Sequence, residues 1–123
     1  MNKNSLMLGD FLWDTEKNEL YVISELPIKK EVEDRLTYIE ITGETLTKYL
    51  GFEKDEWYSE RMIDTYKLDL SKYHISISYY EYSNHPLKDW YLHIDNEDFD
   101  SVGGMDVKYI HEVQNMLNMI QDE

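Results

Sequence analysis

Cysteine is missing from this chain of 123 residues, and there are only two prolines, five glycines and twelve basic residues. The lack of cysteine excludes disulfide scaffolds, thiolate nucleophiles and cysteine-ligated metal sites. No apolar run approaches the ~20 residues that a membrane helix requires, and the N-terminal residues lack the apolar core of a secretion signal. We therefore expect a soluble cytoplasmic protein that does not associate with a membrane.

Negative charge is what the chain has in excess. Twenty-six acidic residues stand against twelve basic ones, which gives a formal net charge of −14. This charge opposes binding to a nucleic-acid backbone, so we expect no direct nucleic-acid ligand. It leaves open an acidic mimic of DNA, because a small domain needs a net charge of only about 2–8 in magnitude for solubility.

Motifs that usually mark catalytic sites are absent from the sequence. There is no Gly-x-x-x-x-Gly-Lys phosphate loop, no Gly-x-Gly-x-x-Gly turn and no Gly-x-Ser-x-Gly elbow. The four histidines lack metal-ligand spacing, and the acidic segment 95–106 departs from the calcium-loop template at Val102 and Tyr109. We expect no enzyme activity, no catalytic or metal-binding residues and no cofactor.

Short elements are predicted along the first half of the chain. Residues 7–14 and 19–26 have the pattern of two strands joined by a polar turn, and residues 36–41 that of a third strand. A short helix is predicted over residues 43–50, because Thr42 can cap its start and Gly51 favours a left-handed stop.

The central region carries most of the eleven tyrosines, and its clearest pattern is a hairpin of residues 74–82 and 89–94 with a turn at residues 84–86. Alternation along both strands predicts one apolar face and an opposite face with the side chains of Tyr80, Tyr82, Tyr91 and His93. Tyrosine combines a large contact area with a polar tip, so this face is a candidate binding surface. The alternative is that the C-terminal helix covers the face and makes it part of the core.

A C-terminal amphipathic helix is predicted over residues 106–121, with Asp106 capping its start after the break at Gly103-Gly104. His111-Glu112 begins like the helix of a zinc protease, but Asn115 stands where the second histidine is required. We therefore expect His111 to lie on the surface or at the boundary of this helix.

The segment Tyr109-Ile-His-Glu-Val-Gln-Asn115 resembles the Tyr-Val-His-x-Leu-Gln-Asn signature of a family of small uncharacterised proteins from gut Bacteroidetes, their phages and mobile elements. Residues 6–12 are similar to the family's Leu-Arg-Ile-Gly-Asn-Leu-Val segment, and residues 46–54 to its Leu-Leu-Lys-Leu-Gly-Phe-Glu-Lys segment. Family members usually continue with Thr-Gly-Glu-Glu-Leu, where this chain reads Gln121-Asp-Glu123. The resemblance implies an origin in a bacterial or phage genome and carries no assigned activity.

Together these patterns predict one acidic α+β domain over residues 1–123, with a mainly antiparallel sheet of about five or six strands, a short central helix and a C-terminal helix packed on the sheet. For function we predict a non-enzymatic binding protein whose tyrosine face contacts a protein partner. The alternatives are an acidic DNA mimic that inhibits a nucleic-acid-binding defence protein, and a pocket for a small molecule or nucleotide.

Overall fold

The computed structural model describes residues 6–55, 64–81 and 88–121, with the backbone alone at positions 80, 81, 88, 89 and 121. These residues form two antiparallel sheets and three helices, which confirms the predicted α+β class. The chain groups into two compact units, residues 1–40 with 109–123 and residues 41–108. The single domain over residues 1–123 stays a prediction.

The first unit contains a three-stranded sheet. Its strands are β1 (Phe11–Asp14), β2 (Glu19–Val22) and β3 (Leu36–Thr37), in the order β2-β1-β3, and a one-turn helix α1 (Lys30–Glu33) precedes β3. One buried hydrophobic cluster of this unit consists of Leu6, Leu12, Ile23, Ile28 and Leu36. The predicted hairpin of the N-terminal region is present, with strands shorter than the sequence pattern indicated.

The turn of this hairpin is organised by a carboxylate. Asp14 Oδ1 accepts the N–H groups of Glu16 and Lys17 at 3.1 and 3.0 Å, and Arg35 Nε donates to Oδ2 at 2.8 Å. The hydrogen bond from Lys17, aided by Arg35, holds the pKa of Asp14 below its usual value. Asn18 ends the turn with a φ of 54°, a left-handed conformation that asparagine tolerates well.

The C-terminal helix α3 (Ile110–Gln121) belongs to the same unit and contacts β1. Its predicted start was wrong by four residues. Asp106 lies in a strand, and the side chain of Glu112 accepts the Tyr109 N–H at 2.8 Å where the helix begins. Ile110, Val113 and Leu117 are buried, as the helical spacing predicted.

The second unit contains a five-stranded antiparallel sheet in the order β4-β5-β6-β7-β8. The strands are β4 (Glu53–Lys54), β5 (Asp64–Asp69), β6 (Tyr73–Glu81), β7 (Lys88–Asn96) and β8 (Ser101–Val107). Two pairs of buried side chains lie opposite each other on β6 and β7, Ile75 with Ile94 and Ile77 with Leu92. This confirms the apolar face that alternation predicted for the central hairpin.

Helix α2 (Gly43–Leu50) has the ends that the sequence predicted. The Thr42 hydroxyl accepts the Thr45 N–H at 3.1 Å, the Thr45 hydroxyl accepts the Thr42 N–H at 2.8 Å, and Gly51 ends the helix with a φ of 74°. Gly43 lies against Tyr66 so closely that a Cβ at this position would overlap the phenol. The missing side chain thus allows the start of α2 to approach strand β5.

Strand β8 was not predicted from the sequence. Gly103 and Gly104, expected to interrupt regular structure, lie inside β8 opposite Ile94 and His93 of β7. β7 pairs with β6 along one edge, and its other edge is available to β8. Pairing along that edge satisfies the N–H and C=O groups of the two glycines, so they can adopt an extended conformation.

Candidate functional site

The face of the five-stranded sheet opposite the isoleucines is polar and is ordered in three rows across β5, β6 and β7. The rows are Thr65–Ser78–Tyr91, Lys67–Ser76–His93 and Asp69–His74–Asp95. Strand alternation accounts for this arrangement, because every second residue of each strand points to the same side.

These rows line a groove of about 490 Å³, to which Asp55 and Phe99 also contribute. The volume lies within the range of sites that hold a small molecule or a few side chains of a partner. At the end of the groove nearest Tyr91, the hydroxyls of Thr65 and Ser78 form a hydrogen bond with 2.9 Å between the oxygens. We call this feature the sheet groove, defined by the three rows with Asp55 and Phe99.

Two histidines in the sheet groove each contact a carboxylate. His74 Nδ1 lies 2.7 Å from Asp69 Oδ1, and His93 Nε2 lies 2.9 Å from Asp95 Oδ1. His74 is also directly opposite Asp95 in the strand pairing, so the two pairs are adjacent. Carboxylate contact fixes the orientation of each imidazole and leaves the other ring nitrogen to a ligand.

Phe99 forms one wall of the sheet groove. Its ring lies flat on the His74 imidazole, with 4.0 Å between the ring centroids and 7° between the planes. Even so, 68% of the residue is exposed, because it is carried on the turn between β7 and β8. The groove therefore presents a large aromatic surface beside two carboxylates.

Of the predicted binding residues, the structure brings Tyr91 and His93 together in the sheet groove. Both are partly exposed, so this face is open to solvent at these positions. Tyr80 lies in β6 opposite Asp89, with its side chain outside the described atoms, and Tyr82 lies outside the described residues. The predicted hairpin turn at 84–86 lies outside them as well.

Tyr91 owes its position to a glycine. The ring lies against Gly104 of β8, where a Cβ would be 2.7 Å from Tyr91 Cζ. Nothing approaches the corresponding position of Gly103 within 4 Å. Gly104 thus gives the phenol room to lie across β8 at the edge of the groove.

Sequence reasoning missed the contribution of β5 and of Phe99 to the groove. The segment Thr65-Tyr-Lys-Leu-Asp69 alternates polar and apolar residues, which is a strand signal. No comparable signal exists for Phe99, because its approach to His74 depends on how β7 turns into β8.

A second polar cluster, in the first unit, fastens helix α3 to the N-terminal segment. Gln114 Oε1 accepts the Phe11 N–H at 2.7 Å, and Gln114 Nε2 donates to the Gly9 carbonyl at 3.3 Å. Residues 6–12 and 109–115 therefore contact each other through these bonds. Their residues have structural roles in this unit.

Asp10 is the titratable group of this cluster. The residue is fully buried, its Oδ2 accepts the Met7 N–H at 2.8 Å, and it interacts with the Asn115 side chain. Burial raises the pKa of Asp10 to about 6, and the two hydrogen bonds oppose that rise. The carboxyl is thus partly protonated just below neutral pH.

His111 was expected at the helix surface or boundary, and this expectation is wrong. The residue is only 2% exposed, and its ring stacks on Tyr38 with 4.9 Å between centroids. Burial lowers the pKa of His111, because the charged imidazole loses hydration. Tyr38 and Tyr109 provide a pocket that the helical pattern alone did not indicate.

The described residues set limits on the chemistry of both sites. Within the described ranges, no group of three or more His, Asp or Glu side chains is arranged to hold a metal ion. None of the helices in these ranges has the length and apolar character to cross a membrane. The sheet groove can offer carboxylates, hydroxyls, imidazoles, the ammonium group of Lys67 and the rings of Tyr91 and Phe99 to a ligand.

Comparisons of the chain with protein-family models, with curated proteins and with solved structures found no match. The geometry of the sheet groove is therefore the basis for assigning a function.

Proposed function

We propose that this chain is a non-enzymatic binding protein that holds a segment of a protein partner in the sheet groove. The supporting observation is the groove of about 490 Å³, which is lined from three strands and includes Tyr91 and His93 of the predicted contact surface. Aromatic and imidazole side chains on a rigid sheet give contact area at a small entropic cost.

The shape of the groove suits a partner segment. Its walls come from one strongly paired sheet, so the contact residues are held in place before a ligand arrives. Exposed aromatic surface next to polar side chains is also the composition typical of protein interfaces. Partial exposure of Phe99, Tyr91 and His93 makes this surface accessible.

A second candidate, an acidic mimic of DNA, is favoured by the net charge of −14. In that case carboxylates would occupy the basic groove of a nucleic-acid-binding protein, such as a defence protein of the host. Binding should then weaken steeply between low and physiological salt and should be competed by duplex DNA. Binding centred on the sheet groove should show a weaker response to both.

A nucleotide ligand is the third candidate, and the groove volume alone favours it. In the lining, the ammonium group of Lys67 favours a phosphate group, and the three carboxylates of Asp55, Asp69 and Asp95 oppose one. Calorimetry with a panel of nucleotides tests this candidate directly.

We also propose that the chain comes from a bacterial or phage genome of the gut Bacteroidetes group. The support is the resemblance of its residues 6–12, 46–54 and 109–115 to the small protein family described above. A cytoplasmic location belongs to the same proposal, as does the absence of direct nucleic-acid binding.

The groove is tested with a variant that fills it. Ser76 is the central residue of the middle row, so Ser76→Trp places an indole in the groove. The control is Ser24→Trp, which adds the same side chain at an exposed position of the other unit. Partners captured from a gut Bacteroidetes lysate are identified by mass spectrometry, and each is then produced pure. We expect Ser76→Trp to weaken binding of the pure partner at least tenfold and Ser24→Trp to leave it unchanged, with both variants folded by circular dichroism. Equal binding by Ser76→Trp would reject the groove as the contact surface.

A further inference from the structure

We propose that Phe99 is the aromatic anchor of the sheet groove and that the group it binds is an arginine side chain of the protein partner. This inference deepens the function proposed above and rests on it. Three observations carry it: the backbone conformation of Phe99, the open face of its ring, and the carboxylates on either side of His74.

The backbone of Phe99 adopts a conformation that favours glycine. Its φ is 64°, in the left-handed region that a bulky L-residue rarely occupies. Besides Phe99, Asn18 is the only non-glycine residue with positive φ in the described ranges. A phenylalanine at such a position requires a reason other than turn geometry.

The turn of the first hairpin provides an internal comparison. In both turns one side-chain oxygen accepts two backbone N–H groups. The acceptor is Asp14 Oδ1 in the first turn, and in the β7–β8 turn it is Asn96 Oδ1, which accepts the N–H groups of Asp98 and Asp100 at 2.9 and 3.0 Å. Each turn contains one left-handed residue, and in the first turn it is Asn18, directly before β2, as turn chemistry favours. The β7–β8 turn has Phe99 in this conformation instead, so the backbone preference of the turn does not explain the residue type at this position.

The ring of Phe99 is placed for contact with a ligand. One face rests on the His74 imidazole, and the exposed fraction of 68% leaves the opposite face open. The stacking holds the ring in a fixed orientation over the end of the groove. A planar cation can stack on the open face, and guanidinium is the planar side-chain cation that is fully charged at neutral pH, whereas imidazolium loses its proton at about pH 6.5.

Charge around the ring favours a cation, because the lining has three carboxylates, those of Asp55, Asp69 and Asp95, against the one ammonium group of Lys67. Asp69 and Asp95 lie on the two sides of His74 in the same row, and 64% of the Asp69 side chain is exposed. The turn itself carries exposed Glu97, Asp98 and Asp100 beside Phe99. These carboxylates make the surroundings of the ring negative, and a guanidinium combines the favoured charge with a planar shape that stacks on the ring, which a rounded ammonium group does less well.

The probe for this inference is an acetylated, amidated peptide of sequence Gly-Ser-Arg-Ser-Gly. Two matched peptides replace the arginine with citrulline, which keeps the planar shape without the charge, or with lysine, which keeps the charge without the plane. Binding is followed by nuclear magnetic resonance of the aromatic side chains. We expect the arginine peptide to shift the Phe99 and His74 signals, and both control peptides to bind about tenfold more weakly or less.

Variants separate the ring from the turn. Phe99→Asn keeps a residue suited to the turn and removes the ring, and it should weaken binding of the arginine peptide about tenfold. Phe99→Tyr keeps the ring and should bind within threefold of the natural chain. Asn18→Ala, in the other turn, should have no effect on binding. Circular dichroism and thermal unfolding show that each variant is folded.

The inference is overturned if citrulline or lysine binds as well as arginine, if Phe99→Asn binds like the natural chain, or if the Phe99 signals do not move. These failures are distinct from failure of the groove itself. When Ser76→Trp abolishes binding of the purified partner but the arginine peptide does not bind, the groove function stands and the arginine assignment falls. When Ser76→Trp still binds the purified partner, the groove function is rejected, and the arginine assignment that rests on it is rejected as well.

Discussion

Replacing Phe99 tests whether the β7–β8 turn is strained for the sake of its side chain. A left-handed backbone costs an ordinary L-residue about 1–2 kcal/mol, and asparagine or glycine largely avoids that cost. The ring pair with His74, at 4.0 Å, contributes about 0.5–1.5 kcal/mol in the opposite direction. Phe99→Asn should therefore change the free energy of unfolding by less than about 1 kcal/mol, although a large side-chain contact is lost.

Alanine at the same position separates the two contributions. Phe99→Ala loses the ring pair and keeps the strain, so it should be about 1 kcal/mol less stable than Phe99→Asn. Asn18→Ala, which introduces the same strain in the other turn, should lose a similar amount relative to the natural chain.

Urea unfolding followed by circular dichroism measures these differences, and thermal unfolding should show shifts of roughly 4 °C per kcal/mol for a chain of this size. The reasoning is refuted if Phe99→Ala is as stable as Phe99→Asn. It is also refuted if Phe99→Asn loses more than about 2 kcal/mol, because the ring would then be a structural contact of the fold.

Three further changes test other parts of the structure. Gly104→Ala should displace the ring of Tyr91 and weaken partner binding at least threefold, whereas Gly103→Ala should not, and a binding titration of both variants would expose equal effects. The raised pKa of Asp10, about 6, means that folding favours the protonated carboxyl, and this contribution to stability is lost as pH rises through about 6. Asp10→Asn should stabilise the chain above pH 6, because asparagine is uncharged at every pH. The rise of the pKa from 3.8 corresponds to a gain in the free energy of unfolding of at most about 3 kcal/mol. Urea unfolding should show this gain at pH 8 and not at pH 4, and a gain at both pH values would contradict the assignment. Gln114→Leu should cost about 1–3 kcal/mol, since the N–H at the start of β1 loses its acceptor, and unchanged urea unfolding would show that water replaces it.

Elements governed by local chemistry were predictable from the sequence. Helix α2 has its ends at Thr42 and Gly51 because capping and left-handed termination depend on single residues close to the helix. The two faces of β6 follow from alternation in the same way, with Ile75 and Ile77 on the buried side.

Features that depend on distant partners were not predictable. The two glycines of β8 became strand because β7 pairs with them, and His111 became buried because Tyr38 covers it. The groove itself needs β5 beside β6, a pairing that no local pattern encodes.

By itself, the sequence determined the α+β class, the apolar faces of the central hairpin and of the C-terminal helix, and the strong negative charge, because these depend on composition and on the spacing of residues close together in the chain. Only the tertiary structure decided which polar side chains meet. Tyr91 and His93 were named from one hairpin, but Lys67, Asp69 and Phe99 join them through strand pairing and a turn. The physical reason is that side chains far apart in sequence come into contact only when backbone hydrogen bonds fix the register between their strands.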